Sequence, residues 1–82
     1  MYKILFTQRA IKDFSKLNPE TKTFLKEKIK DYSQNPFQHS KKLKDSRIGE
    51  YRFRMGDYRV VFDVDDDKII VLRLGHRKEI YR

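Results

Sequence analysis

Ten residues, "EYRFRMGDYR" from Glu50 to Arg59, place Arg52, Arg54 and Arg59 within eight positions. The last eight, "GHRKEIYR" from Gly75 to Arg82, add His76, Arg77 and Tyr81, with Glu79 between them. A guanidinium stays charged at any working pH and presents a planar fork of donors that matches a phosphate. An imidazole, ordinarily titrating near about 6.5, can move a proton, and a phenol can stack on a base or donate a hydrogen bond. These side chains suit a phosphate-binding face, with arginines to hold the anion and one titratable imidazole close by.

The elements that must position these groups are a hairpin and the strand after it. "EYRFRM" and "YRVVFDV" flank Gly56-Asp57, a two-residue turn with glycine first, which suits a type II′ hairpin. That turn fixes the register: Met55 opposite Tyr58, Arg54 opposite Arg59, Phe53 opposite Val60, Arg52 opposite Val61. Alternation then gathers Tyr51, Phe53, Met55, Tyr58, Val60 and Phe62 on one apolar face. Arg52, Arg54 and Arg59 project together from the other, although like charges directly opposite destabilise a sheet. "KIIVLRLG" follows the turn "DDD" as a third strand, so the tail returns near Arg59. Whether His76 or Arg77 points onto the arginine face depends on whether that turn has two or three loop residues, and both arrangements stay open. Asp65, Asp66 and Asp67 lack the spaced ligands and the glycine of a calcium loop and read as turn residues.

Upstream, "YKILF" from Tyr2 to Phe6 is rich in β-formers and predicts a first strand. Thr7 can cap a helix carrying Ala10, Ile11, Phe14 and Leu17 at helical spacing. Asn18-Pro19 ends that helix and starts a second, with Phe24, Leu25, Ile29 and Tyr32 as its apolar stripe. Asn35-Pro36 closes it. So short a link predicts an antiparallel helix pair. The polar stretch Gln38 to Ile48, anchored by Leu43, reads as a connecting loop, and His39 in it as a surface residue. The expected fold class is α+β, in the order βααβββ. A small, mostly antiparallel sheet has the helical hairpin on one face and leaves the other face for function.

The whole chain bounds the function. Eighty-two residues predict one domain, 1–82, of modest stability. Eleven aromatics argue against disorder despite 39% charged residues. The net charge of +8 favours a polyanionic partner: nucleic acid, an anionic membrane or an acidic protein. With no cysteine, disulfides and thiolate metal sites are excluded, and a reducing cytoplasm is the expected compartment. No signal peptide or membrane-spanning run is visible, so no membrane partner is expected.

The ordered set "KLKD…GEYRFRMGDYRVVFDVDDDKIIVLRLGHRKEIYR" resembles the RelE/ParE superfamily of toxins from type II toxin–antitoxin systems. The resemblance runs over the chain and implies the same βααβββ architecture. It also implies a choice: ribosome-dependent endoribonucleases that cut A-site mRNA, as in RelE, or gyrase poisons without nuclease chemistry, as in ParE. The terminal "HRKEIY" is similar to the RelE branch.

In that branch the 2′-hydroxyl attacks the adjacent phosphate without metal or cofactor, leaving a 2′,3′-cyclic phosphate and a 5′-hydroxyl. By similarity, Arg59 holds the scissile phosphate and Arg77 stabilises the transition state or leaving group. Tyr81 stacks on a base or orients the nucleophile. Arg52 and Arg54 stand where RelE has lysines, one of them a proposed general base, and arginine hardly accepts a proton. His76 is then the leading candidate for the base, ahead of Glu79 and Tyr81. Lys41, Lys42, Lys44 and Arg47 form a basic cluster suited to ribosomal RNA. The implied partners are mRNA, the ribosome and a cognate RelB-like antitoxin that wraps the toxin in a hetero-oligomer. DNA recognition is expected from the antitoxin, not from this chain alone. A third expectation, a non-catalytic nucleic-acid-binding module, follows from the charge alone.

Overall fold

A computed structural model describes residues 2–44 and 47–80. The first strand, β1 (Lys3–Phe6), leads into helix α1 (Gln8–Ser15) through Thr7. The Thr7 side chain accepts from the Ala10 backbone N–H at 3.1 Å and donates its hydroxyl to the Leu72 carbonyl at 3.0 Å. One residue thus caps the helix and ties its start to the last strand. Asn18 caps α2 (Pro19–Tyr32) by accepting from Thr21 N–H at 2.8 Å, with Pro19 at the first helical position. The helix buries Leu25 and Ile29, while Phe24, expected on the same stripe, stays 40% exposed.

The hairpin pairs as its turn dictates. Strand β3 (Tyr51–Met55) runs antiparallel to β4 (Tyr58–Asp65), with Met55 opposite Tyr58, Arg54 opposite Arg59 and Arg52 opposite Val61. Gly56 sits at φ +62°, a conformation the turn needs and a side chain disfavours. Asp66 and Asp67 form a two-residue turn into β5 (Lys68–His76). Leu72 is an extra residue in β5: Phe62 pairs with Val71 but Val61 with Arg73. β1 joins the far side of β5 in parallel, pairing Lys3 to Phe6 with Lys68 to Val71.

The helix-side face is packed as expected. Phe53, Met55, Val60, Phe62, Ile69, Val71 and Leu74 meet Ala10, Leu25 and Ile29 in one buried cluster. Phe53 and Phe62 stack across the strands with ring centroids 4.2 Å apart. Burying each such ring contributes roughly 1.5–3 kcal/mol.

Two features differ from the expectation. The stretch read as a connecting loop contains a short helix, α3 (Pro36–His39), and an edge strand, β2 (Ser40–Lys42). β2 pairs with β3, giving a five-stranded sheet in the order β1-β5-β4-β3-β2. Three residues, "SKK", carry no apolar alternation, so only the partner strand reveals them.

The second sheet face is also not wholly open. Gly49 lies so close to it that a Cβ there would collide with Val61 Cγ1 and come within 2.9 Å of Leu72 Cδ1. The following residue, Glu50, donates its N–H to Asp63 Oδ1 at 2.8 Å. The chain before β3 therefore crosses the middle of this face, and Val61 is buried beneath it. The arginine end remains beyond the crossing.

Candidate nucleic-acid interface

Register decides which side chains share the second face. Arg54 lies opposite Arg59, which lies opposite Gly75, in one cross-strand row. The next row runs Lys41, Arg52, Val61, Arg73. Of the basic cluster, Lys41 thus joins the arginines. Lys42 pairs with Tyr51 and belongs to the other parity. Lys44 and Arg47 are exposed on the stretch that follows β2.

The arginines are not equivalent. Arg54 is exposed and Arg52 half-buried. Arg59 is only 5% exposed, and its Nη1 donates to the carbonyls of Gly56 at 2.8 Å and Tyr58 at 2.9 Å. Charge-assisted bonds of this kind are worth about 1.5–3 kcal/mol each. They fix the guanidinium fork against the turn, which converts a flexible side chain into a preset donor.

Arg77 approaches the same turn from the tail. Its N–H donates to the Asp57 carbonyl at 2.8 Å, and its Nε lies 3.9 Å from Asp57 Oδ1. Both side chains are exposed, so this ion pair holds little energy. The tail then folds back: Glu79 and Ile80 donate their N–H groups to the His76 carbonyl at 2.9 and 3.0 Å, and Ile80 is buried. Tyr81 lies outside the described residues.

His76 resolves the orientation that the sequence left open. It pairs with Tyr58, so it shares the helix-side parity, and the two rings meet edge to face at 5.6 Å. Its Nδ1 accepts the Lys78 N–H at 3.1 Å. That bond assigns the neutral ring's proton to Nε2, leaving that nitrogen a donor. Accepting a proton on Nδ1 requires giving up the Lys78 bond. His76 and the Arg52–Arg54–Arg59 group therefore stand on opposite faces at the end of β5.

One constellation was missed. Asp13 accepts from the Leu74 N–H at 3.1 Å and from Arg73 Nε and Nη2 at 3.1 and 3.3 Å. β1 covers β5 only as far as Val71. Asp13 satisfies the strand edge beyond that point and anchors α1 to it. The partners lie 60 and 61 residues apart, and nothing local in the sequence marks them. With Lys16, Tyr58, His76 and Glu79, they line a polar cleft of about 380 Å³. Among the described residues, no group of three or more His, Cys, Asp or Glu side chains is arranged to hold a metal ion. No described helix is long and apolar enough to cross a membrane.

The chain is similar to known proteins over nearly its whole length. A family profile described as "ParE toxin of type II toxin-antitoxin system, parDE" matches residues 4–81. The toxin RelG of Mycobacterium tuberculosis is 33% identical over 84 residues, covering 99% of this chain and 97% of its own. The mRNA interferase toxin RelE of Escherichia coli K12 is 28% identical, covering 98% and 90%. Among solved structures, the M. tuberculosis toxin–antitoxin complex RelBE2 contains a similar chain. Its TM-score is 0.84 at 32% identity, over 93% of this chain and 98% of that one. The isolated E. coli RelE toxin gives 0.77 at 28% identity, over 99% and 92%.

Proposed function

The chain belongs to the RelE/ParE family of type II toxin–antitoxin toxins, and from that premise we propose that it is a ribosome-dependent endoribonuclease that cleaves mRNA in the A site. One observation carries the reading. Two arginines, Arg59 from β4 and Arg77 from the tail, converge on the Gly56–Asp57 turn, with Arg54 opposite Arg59. A single-stranded phosphodiester is the ligand that such a cluster of guanidiniums stabilises best.

In the proposed reaction, the substrate's 2′-oxygen attacks phosphorus and gives its proton to water, the P–O5′ bond breaks, and the 5′-oxygen takes a proton from water. The products are a 2′,3′-cyclic phosphate and a 5′-hydroxyl. Arg59, already oriented by the turn carbonyls, holds a non-bridging oxygen. Arg54 and Arg52 balance charge growing on the equatorial oxygens, the task at which fixed donors contribute most. Arg77, exposed and loosely paired, swings to the leaving oxygen. His76 serves as a donor through Nε2 more readily than as a base, because its Nδ1 is engaged. Tyr81 stacks on a base beside the scissile bond. Lys41, Lys42, Lys44 and Arg47 add salt-sensitive affinity for ribosomal RNA.

The partner is a cognate antitoxin. Solved relatives include toxin–antitoxin complexes from M. tuberculosis and Methanococcus jannaschii. On this chain, an apolar groove of about 580 Å³ lies between β1, α1 and α2, lined by Ile4, Phe6, Ile11, Phe14 and Ile29. Lys26 and Lys30 border it. Apolar floor, cationic rim and a net charge of +8 fit an amphipathic antitoxin segment with acidic flanks.

A second reading, a gyrase poison, is favoured by the ParE description of the matching profile. A translation extract supplemented with plasmid and gyrase separates the two. Cut mRNA with ends inside codons supports the nuclease. Double-strand DNA breaks with intact mRNA support the poison and overturn it.

A further inference from the structure

The fold explains two of the chain's three glycines: Gly56 by its positive φ, and Gly49 by its close approach to Val61 and Leu72. Gly75 has neither reason. It lies inside β5 opposite Arg59, and its φ is outside the left-handed region. A Cβ built on it meets nothing within 4 Å among the described residues. Glycine inside a strand weakens it, through chain entropy and the lack of a side chain to pack. The described fold would therefore accept, and energetically prefer, a larger residue at this position. Glycine in a strand marks a bulge, a bend, or close approach by another backbone or a ligand. The irregularity of β5 falls at Leu72 and no described backbone lies above Gly75, which leaves the ligand.

The surroundings indicate which ligand. Arg59 stands across the ladder from Gly75 and Arg77 follows it by two residues, while Arg73, two residues before it, is held by the Asp13 carboxylate. Gly75 also borders the polar cleft that contains Tyr58 and His76, whose parity is the opposite one. Gly75 thus lies where the arginine face meets the Tyr58–His76 end of the polar cleft, just past the Leu74 edge that Asp13 caps. A ligand that fits both has an anionic, linear backbone and a planar polar group one unit away.

We infer that Gly75 is the floor of a subsite for one ribose–phosphate unit of single-stranded RNA, whose adjoining base enters the Tyr58–His76 cleft. The inference rests on the nuclease reading for its choice of RNA. It adds a position that touches the substrate through backbone alone. A side chain at Gly75 fills the space that the sugar–phosphate occupies, leaving every described contact of the fold in place.

The test uses the full chain as Gly75→Ala and Gly75→Val, with two readouts. Thermal melting reports the fold: both variants melt at or a few degrees above wild type, because each replaces a glycine that loses more chain entropy on folding, and valine also favours a strand. Binding of a short single-stranded oligoribonucleotide with 2′-deoxy at its cleavable positions reports the subsite without relying on cleavage. Its dissociation constant rises in the order wild type, alanine, valine, by about tenfold or more for valine, the scale of an overpacked contact. Equal binding by all three proteins overturns the subsite, whatever happens to mRNA. So does an absence of binding by wild type, or marked destabilisation of both variants, which would make Gly75 structural. If wild type leaves mRNA intact in the extract while Gly75→Val still loses the oligonucleotide, the nuclease reading fails and the subsite stands.

Discussion

The two faces of the sheet are made by the same strands and obey different rules. On the helix side, Phe53, Phe62, Val60 and Leu74 are held by shape, and each tolerates only a residue of similar volume. On the other side, Arg54 and Arg59 oppose each other and Arg52 and Lys41 form the next pair, so like charges face one another across the ladder. The first face supplies the stability that the second one spends on gathering positive charge. Between the extremes lies Arg59, which sits on the charged face but is buried and bonded like a core residue. The contrast shows how a small domain holds an anion site: one cation is built into the turn, Arg52 is half-buried beside it, and Arg54 stays exposed.

That contrast can be broken at several points. The largest effect belongs to the apolar face. Phe53→Ala removes a fully buried ring and is expected to cost about 3–5 kcal/mol. Urea unfolding should show most of the domain's stability gone, and a loss below about 1 kcal/mol contradicts the packing described.

Next comes the intermediate case. Arg59→Ala deletes two bonds from a charged donor, each worth about 1.5–3 kcal/mol, and frees the Gly56–Asp57 turn. It should lower both the unfolding midpoint and RNA affinity, whereas a change in affinity alone would make Arg59 a pure ligand. The smallest stability change belongs to the exposed charge. Arg54→Gln relieves the cross-strand repulsion, so stability stays level or rises by about 0.2–1 kcal/mol. RNA affinity should fall, and the slope of log affinity against log salt should decrease by about one phosphate contact. Lost stability in that variant would mean that Arg54 is structural.

The hairpin was legible because its information is local. Two turn residues set the register, and the register alone gave Arg54 opposite Arg59 and the apolar set facing the helices. Thr7 and Asn18-Pro19 announced the starts of α1 and α2 for the same reason: a cap is read within four residues. What stayed hidden was long-range. Strand β2 exists only because β3 offers it an edge, and Asp13 meets Arg73 and Leu74 only after α1 packs on β5. The burial of Arg59 was equally hidden, since its partners are backbone carbonyls that carry no residue identity. The side of His76 depended on the Asp66-Asp67 turn, and the extra residue at Leu72 further alters the register of β5.

The central claim is that the arginines at this turn act on an mRNA phosphodiester. Mapping the 5′ ends of cellular mRNA after brief induction of wild type and Arg77→Ala tests it most directly. The account predicts new 5′-hydroxyl ends within translated codons for wild type, and their loss in a variant that folds and melts normally. Identical end maps for the two proteins, or no new ends with wild type while growth still stops, would contradict it.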